Sequence, residues 1–327
     1  MRLPKFLYVE PGSLEEACLF LEEHGRESKL MAGGTDLLPS MKLGLSAPKW
    51  LINTSALPQL DQVEFDEGSG LRIGASVKIG ALERNALVRQ KYPGIALAAV
   101  CVGSPQLRQM GTVGGNLSID TRCDYYNQPD LWRDCKPKCI KMGGETCNAI
   151  GGGRKCFAVF SGDLAPALIA LDARIRLVSV REERIIPLSE LYTGNGAKPR
   201  AIKPEEILAG VEVPLLPAGT VGTYAKFAVR KAIDFPLAGV ATLLTLEGKE
   251  KLCRAAKVVI GAVGPGPDEV KAIGQLLEGK KLSLQLIEEA SSLAFKAAKP
   301  VANRGSSPVY RKLMIKALVR KALRQAL

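Results

Sequence analysis

The periods of apolar and polar positions along the chain outline its elements. In Ser13-Leu-Glu-Glu, Ser13 is placed to accept from the amide of Glu16 while Glu16 reaches back, a capping box. Leu14, Ala17, Cys18 and Leu21 then share one helical face that runs out near Gly25. Short strands follow at 29–32, 50–53 and 71–76, and a helix at 81–90. Further on, 164–171 reads as an apolar helix, and 173–180 and 207–214 as strands. Residues 214–220, with Pro217 and Gly219, mark a boundary. Beyond it come strands at 224–230, 238–246 and 255–263, then helices at 268–277, 283–298 and 308–327. The pattern is α+β, without internal repeats. It predicts a larger first part, 1–216, with subdomains of about 1–57 and 58–216, and a smaller part at 217–327.

Charge modifies this picture. The chain has 327 residues and a net charge of +12, and a single histidine, His24. That argues against Ser–His or Cys–His catalysis and against a multi-histidine metal site. Residues 296–327 hold nine basic residues and no acid, and 122–156 hold seven basic and four acidic residues. A basic balance hints at nucleic acid, but aromatics are only 5% and no nucleic-acid-binding module appears. The tail reads instead as a solvated amphipathic helix with Leu313, Ile315, Ala317, Leu318, Leu323 and Leu327 as its stripe; docking to a partner subunit is the alternative. No apolar run approaches the roughly 20 residues of a membrane span. The start lacks a signal-peptide core, so a cytoplasmic chain is expected, with neither membrane nor nucleic acid as partner.

Two glycine clusters carry candidate chemistry. Met31-Ala-Gly-Gly-Thr-Asp follows a strand, and Gln109-Met-Gly-Thr-Val-Gly-Gly-Asn-Leu-Ser follows an amphipathic stretch. Amides in such turns can converge on an anion, because no Cβ blocks its approach. Neither cluster matches a P-loop or a GxGxxG turn, and each alone could be purely structural. Together with Ser161-Gly-Asp at 161–163, they point to a diphosphate ligand spread between subdomains.

Five of the eight cysteines, Cys123, Cys135, Cys139, Cys147 and Cys156, fall within 123–156. In a cytosolic chain this clustering favours metal over disulfides. Zinc usually shows CxxC knuckles, absent here, whereas an iron–sulfur cluster tolerates long irregular connections. Glycines at 143, 144 and 151–153 would let the loop wrap one; zinc or plain structural thiols are the alternatives. Cys18, Cys101 and Cys253 read as structural thiols.

Four motifs then occur in one order: Ala32-Gly-Gly-Thr-Asp-Leu-Leu-Pro-Ser-Met-Lys, Ile73-Gly-Ala-Ser, Gln106-Leu-Arg-Gln-Met-Gly-Thr-Val-Gly-Gly-Asn and Asp163-Leu-Ala-Pro-Ala-Leu. With Lys226-Phe-Ala-Val-Arg-Lys-Ala-Ile-Asp-Phe-Pro and Asn303-Arg-Gly-Ser-Ser-Pro-Val-Tyr-Arg, the chain resembles the FAD subunits of the xanthine dehydrogenase (molybdenum hydroxylase) family along essentially its whole length. The resemblance implies an FAD-binding PCMH-type domain over 1–216, with an insert at about 120–160, and a CO dehydrogenase flavoprotein C-terminal-like domain over 217–327. It implies that Met31, Ala32, Gly33, Gly34, Thr35 and Asp36 hold the FAD pyrophosphate, with Ala75 and Ser76 beside them. Thr112, Gly115, Asn116 and Ser118 would line the second cradle. Asp163 would take the ribose or adenine side, Leu208 the isoalloxazine ring and Lys226 its pyrimidine edge, where a cation stabilises a reduced flavin. Lys226 as a solvated strand lysine is the alternative. Lys78 stands where relatives often carry a small polar residue.

The insert itself resembles that of the β-subunits of 4-hydroxybenzoyl-CoA reductases, which binds a 4Fe–4S cluster. The resemblance assigns Cys123, Cys139, Cys147 and Cys156 as ligands, with Cys135 as the spare or as a substitute for Cys139. It further implies a molybdopterin-containing large subunit, a 2Fe–2S small subunit and ferredoxin as electron donor, in a dimer of heterotrimers. The chain would then be an electron-transfer subunit in the reductive dehydroxylation of 4-hydroxybenzoyl-CoA. Its alternatives are the FAD subunit of another hydroxylase of the family (aldehyde or aromatic substrate), or a zinc-stabilised basic scaffold or nucleic-acid-binding protein. Lys136, Lys138 and Lys141 would present the insert's positive charge to an acidic ferredoxin.

Overall fold

The computed structural model describes residues 2–58, 60–248 and 250–326. Strands β1 (Leu7–Val9), β2 (Ser28–Met31) and β3 (Trp50–Asn53) form a small parallel sheet in the order β1-β3-β2. The helix Leu14–His24 starts as its sequence dictates, with the amide of Glu16 donating to Ser13 Oγ. Glu16 reaches back one residue further than a capping box requires, accepting from the amide of Gly12 at 2.7 Å. Ala17, Cys18 and Leu21 bury its apolar face with Ile52, Leu57 and Leu60. His24 stacks on Trp50, which gives the single histidine a packing role.

A second sheet has the order β4-β5-β8-β6-β7, from β4 (Val63–Asp66), β5 (Gly70–Gly74), β6 (Arg174–Val178), β7 (Glu183–Pro187) and β8 (Ile207–Val213), every pair antiparallel. The expected helix at 81–90 is two helices, Ile79–Arg84 and Ala86–Lys91. Asn85 divides them: its extended backbone ends the first, and its side chain caps the second by accepting from Val88 N at 3.0 Å.

The third sheet, β12-β11-β10-β9, is built from β9 (Thr220–Phe227), β10 (Ala238–Glu247), β11 (Leu252–Gly261) and β12 (Asp268–Glu269). Ala241 and Val259 face the core of the second sheet, whereas Val240, Val258 and Ile260 face the C-terminal helices. Both faces of β10 and β11 are therefore covered, which is why 238–246 reads as an almost continuous apolar run. Helices Pro93–Val100 and Leu164–Ala170 pack on this sheet and knit the two parts of the chain together.

The C-terminal helix Pro308–Arg324 buries Ile315, Val319, Ala322 and Leu323. Leu313, expected in the stripe, is exposed, and Leu327 lies outside the described residues. The unforeseen member of the buried face is Arg311, fully enclosed and donating to the carbonyls of Leu237 (3.0 Å), Val301 (3.2 Å) and Ala262. It ties the helix to the shared end of the β10–β11 pair, where β10 begins and β11 finishes. Lys316 and Arg320 pair with Glu288 on the neighbouring helix, so part of the tail's charge is neutralised inside the fold. Among the described residues no helix is long and apolar enough to cross a membrane.

Candidate functional site: a glycine cradle and a cysteine-lined loop

The first glycine turn leaves the end of β2 and enters the helix Leu37–Lys42. Among the described residues, the amides of Gly33, Gly34, Thr35 and Asp36 donate to nothing in the chain, and neither does the Thr35 hydroxyl. The second turn lies directly against it. A Cβ on Gly33 would fall 1.9 Å from Met110 O, and one on Gly111 would lie 3.5 Å from Thr35 Oγ1. Glycine at 33 is thus demanded by backbone contact between the two turns.

Most amides of the second turn are taken, that of Thr112 being the exception among the described residues. Thr112 Oγ1 accepts from Gly115 N, Val113 N donates to Val77 O, and Gly114 N to Ala75 O. Its usable donors are therefore the Thr112 amide and side chains. The Thr112 hydroxyl and the Asn116 Nδ2 remain uncommitted among the described residues, the Asn116 Oδ1 being taken by Leu164 N at 3.1 Å. The 161–163 segment packs on Asn116, since a Cβ on Gly162 would fall 2.7 Å from Asn116 O. Ser161 Oγ is buried there without a partner among the described residues. Free amides, free hydroxyls and an orphaned buried oxygen on adjoining turns fit a ligand rich in phosphate and hydroxyl oxygens.

Other expected contacts fall elsewhere. The Ser76 hydroxyl is committed to Thr54 O at 2.7 Å, and Leu208 is packed in the core of the second sheet. Lys78 forms a bridge to Thr112, and burial lowers its pKa. Asp163 and Lys226, assigned by resemblance to opposite ends of the dinucleotide, meet at 3.2 Å in the interior and cannot serve both ends. Lys226 Nζ also donates to Cys101 O (2.7 Å) and Asp234 O (2.8 Å), which uses all three ammonium protons and leaves none for a flavin. Asp163 accepts in addition from the Tyr224 hydroxyl at 2.8 Å. Burial pushes its carboxyl up to about 6, against the pull of Lys226 and Tyr224. Neither partner of Asp163 was legible as such, because Tyr224 and Lys226 lie on a strand some sixty residues away.

The cysteine segment is closed at its base by the pair Arg122↔Val159. Within it, Cys139 pairs with Thr146 and Cys147 with Gly153. Gly143 has φ +85°, and a Cβ on Gly144 would fall 1.8 Å from Lys138 O, so the loop folds back on itself only with glycine there. Cys123, Cys139, Cys147 and Cys156 line one cavity together with Tyr125, Tyr126 and Ile140. All four are buried, and Cys135 is exposed outside. Burial pushes the Cys123 thiol up to about 11, with the nearby Cys147 and Cys156 adding to it. Among the described residues, no three His, Cys, Asp or Glu groups converge closely enough to hold a single metal ion. That lends no support to a zinc site, whose four short bonds draw the sulfurs together. Lys141 is no docking charge: its side chain is 6% exposed and its ammonium binds Asp120 Oδ1 (2.9 Å), Thr121 O (2.9 Å) and Thr121 Oγ1 (2.7 Å). Lys136 and Lys138 are exposed.

The fold and the paired glycine turns define a two-part flavoprotein. Residues 4–216 match the FAD-binding domain of molybdopterin dehydrogenases, and residues 223–326 the CO dehydrogenase flavoprotein C-terminal domain. The chain belongs to this family of FAD-binding subunits. It is 32% identical to the aldehyde oxidoreductase FAD-binding subunit of Escherichia coli K12, over 77% of this chain and 80% of that one. It is 28% identical to the 6-hydroxypseudooxynicotine dehydrogenase complex subunit alpha of Paenarthrobacter nicotinovorans, over 100% of this chain and 96% of the relative. The solved carbon monoxide dehydrogenase of Hydrogenophaga pseudoflava superposes with a TM-score of 0.81 at 25% identity, covering 100% of this chain and 98% of its own.

FAD binding makes the Gly33 contact testable. Gly33→Ala forces the two turns apart and is expected to weaken FAD retention about tenfold or more, about 1.4 kcal/mol. Flavin absorbance after gel filtration measures it; full flavin content in this variant would show that the turn contact does not govern binding.

Proposed function

We propose that the chain is the electron-transfer subunit of a molybdenum enzyme, holding FAD across the two glycine turns and a 4Fe–4S cluster in the cysteine insert. The supporting observation is that four buried cysteines of the insert line one cavity while the fifth stands outside it. FAD would supply electron exchange singly or in pairs, and the cluster single-electron steps at a potential tuned by its surroundings. The amides from Gly33 to Asp36 would hold the pyrophosphate, following Met31 and Ala32 out of β2. Thr112, Gly115, Asn116 and Ser118 would face them, with Ala75 as a wall, while Ser76 and Leu208 stand back in the packed interior. The role we assign to Asp163 and Lys226 is to fix one another behind the cradle.

Substrate chemistry would fall to partner chains, a molybdopterin-containing large subunit and a 2Fe–2S small subunit, in a dimer of heterotrimers. The complex would replace the phenolic hydroxyl of 4-hydroxybenzoyl-CoA by hydrogen. Two electrons from ferredoxin and two protons would give benzoyl-CoA and water. A second reading, the FAD subunit of an oxidising aldehyde or aromatic hydroxylase, is favoured by the names of the relatives, which include an aldehyde oxidoreductase and a carbon monoxide dehydrogenase. Anaerobic purification with the partner chains, followed by flavin, iron and sulfide analysis, separates the two. About one FAD and about four irons attributable to this chain, beyond the iron of the 2Fe–2S subunit, with dehydroxylation of the thioester, are expected. A complex without iron on this chain that reduces NAD+ with a hydroxylatable substrate would establish the second reading.

A further inference from the structure

Arg122 and Arg304 both lie against the ring of Phe235, with guanidinium carbons 4.1 and 6.0 Å from its centroid. Their side chains are only 16% and 14% exposed, and the Nε of each is buried without an acceptor among the described residues. Their counter-charges differ. Arg122 is in direct contact with Asp36 of the glycine cradle. Among the described residues the one ion pair of Arg304 is with Asp124, at 4.0 Å and half exposed, with the Asp234 carboxylate a weaker influence, so its charge is loosely compensated. Arg304 is also fixed in place, because the carbonyl of its neighbour Asn303 accepts from Asp124 N at 2.9 Å and the Asn303 side chain donates to Phe157 O. These bonds seat a desolvated cation against the residue that follows Cys123. Burial and the repulsion of Arg122 lower the Arg304 pKa, which marks how little solvent screens it.

We propose that Arg304 is a positioning residue for the cysteine site, whose loosely compensated charge beside Cys123 stabilises the reduced form of a cluster bound there and so raises its midpoint potential. The inference rests on the cluster reading given above and extends it to a residue of the C-terminal part of the chain.

The test is an EPR-monitored redox titration of the anaerobically purified complex. Arg304→Gln is expected to move the cluster midpoint to more negative potential with iron and sulfide unchanged, and Arg304→Lys, which keeps the charge, to stay near wild type. Asp124→Asn, which removes the counter-charge, is expected to move it in the positive direction. It decides the matter if Arg304→Gln loses its iron. An unmoved potential in an iron-replete Arg304→Gln, or in Asp124→Asn where Arg304→Gln has lost iron, overturns the proposal and leaves the cluster reading standing. A wild-type complex with no iron on this chain sinks both.

Discussion

Cys139→Ser is expected to remove essentially all the iron carried by this chain in the anaerobic complex, and Cys135→Ser to leave it in place. The two residues are four apart in sequence and equivalent by spacing alone. The structure separates them through the short helix Asp130–Asp134, at whose end Cys135 turns outward and gives its S–H to Leu131 O at 3.2 Å. Cys139, bridged to Thr146, lines the cavity with Cys147 and Cys156. Serine would be a poor substitute, because its hydroxyl does not ionise near neutral pH as a metal-bound thiol does. Burial holds the Cys123 and Cys156 thiols above their ordinary pKa, so both resist ionisation until a metal compensates them. Losing one ligand should therefore release the cluster and loosen the insert together. Iron analysis and the visible spectrum read the outcome. Four irons retained by Cys139→Ser, or lost from Cys135→Ser, would show that the ligand set is wrong.

Much of this arrangement was legible because it is local. The Ser13 cap, the strands β2 and β3, the glycine turns and the wrapping glycines of the insert each depend on residues a few positions apart. Where the sequence pattern and the structure differ most, the partners are distant in sequence; elsewhere a local cap or a short element decides. The tail's pattern predicts an apolar stripe, yet Arg311 fills the interior because three carbonyl groups converge on it. Lys141 looked like a surface charge, but Asp120 and Thr121 at the base of the insert capture it. The helix expected at 81–90 breaks at Asn85, where a side-chain cap competes with the ladder. The weakly patterned strands β1, β4 and β7 escaped notice because each is short and half exposed, so alternation has little length in which to show.

The Asp163–Lys226 pair gives the largest expected stability effect. Lys226→Met should cost about 3–5 kcal/mol at pH 8, because it leaves a buried carboxylate without its cation. It also removes the donor that satisfies Cys101 O and Asp234 O. The effect should depend on pH in a definite direction. In the wild type the folded-state pKa of Asp163, about 6, lies above the usual carboxylate value of about 3.9. The folded state thus holds a proton that the unfolded chain has released, and this group's contribution to stability falls as pH rises from about 4 through about 6, then levels off. Without Lys226 the folded pKa rises further, so the decline continues to higher pH. The gap between wild type and Lys226→Met should be smaller at pH 5, where Asp163 is largely protonated in both and only the lost carbonyl contacts remain, and widest at pH 8. Asp163→Asn in the Lys226→Met background removes the stranded charge and should recover most of the loss at pH 8 and flatten the pH dependence. Urea unfolding of the three proteins at both pH values measures this. An equal loss at pH 5 and pH 8 would mean that Lys226 acts through its carbonyl contacts alone and that Asp163 does not need its charge.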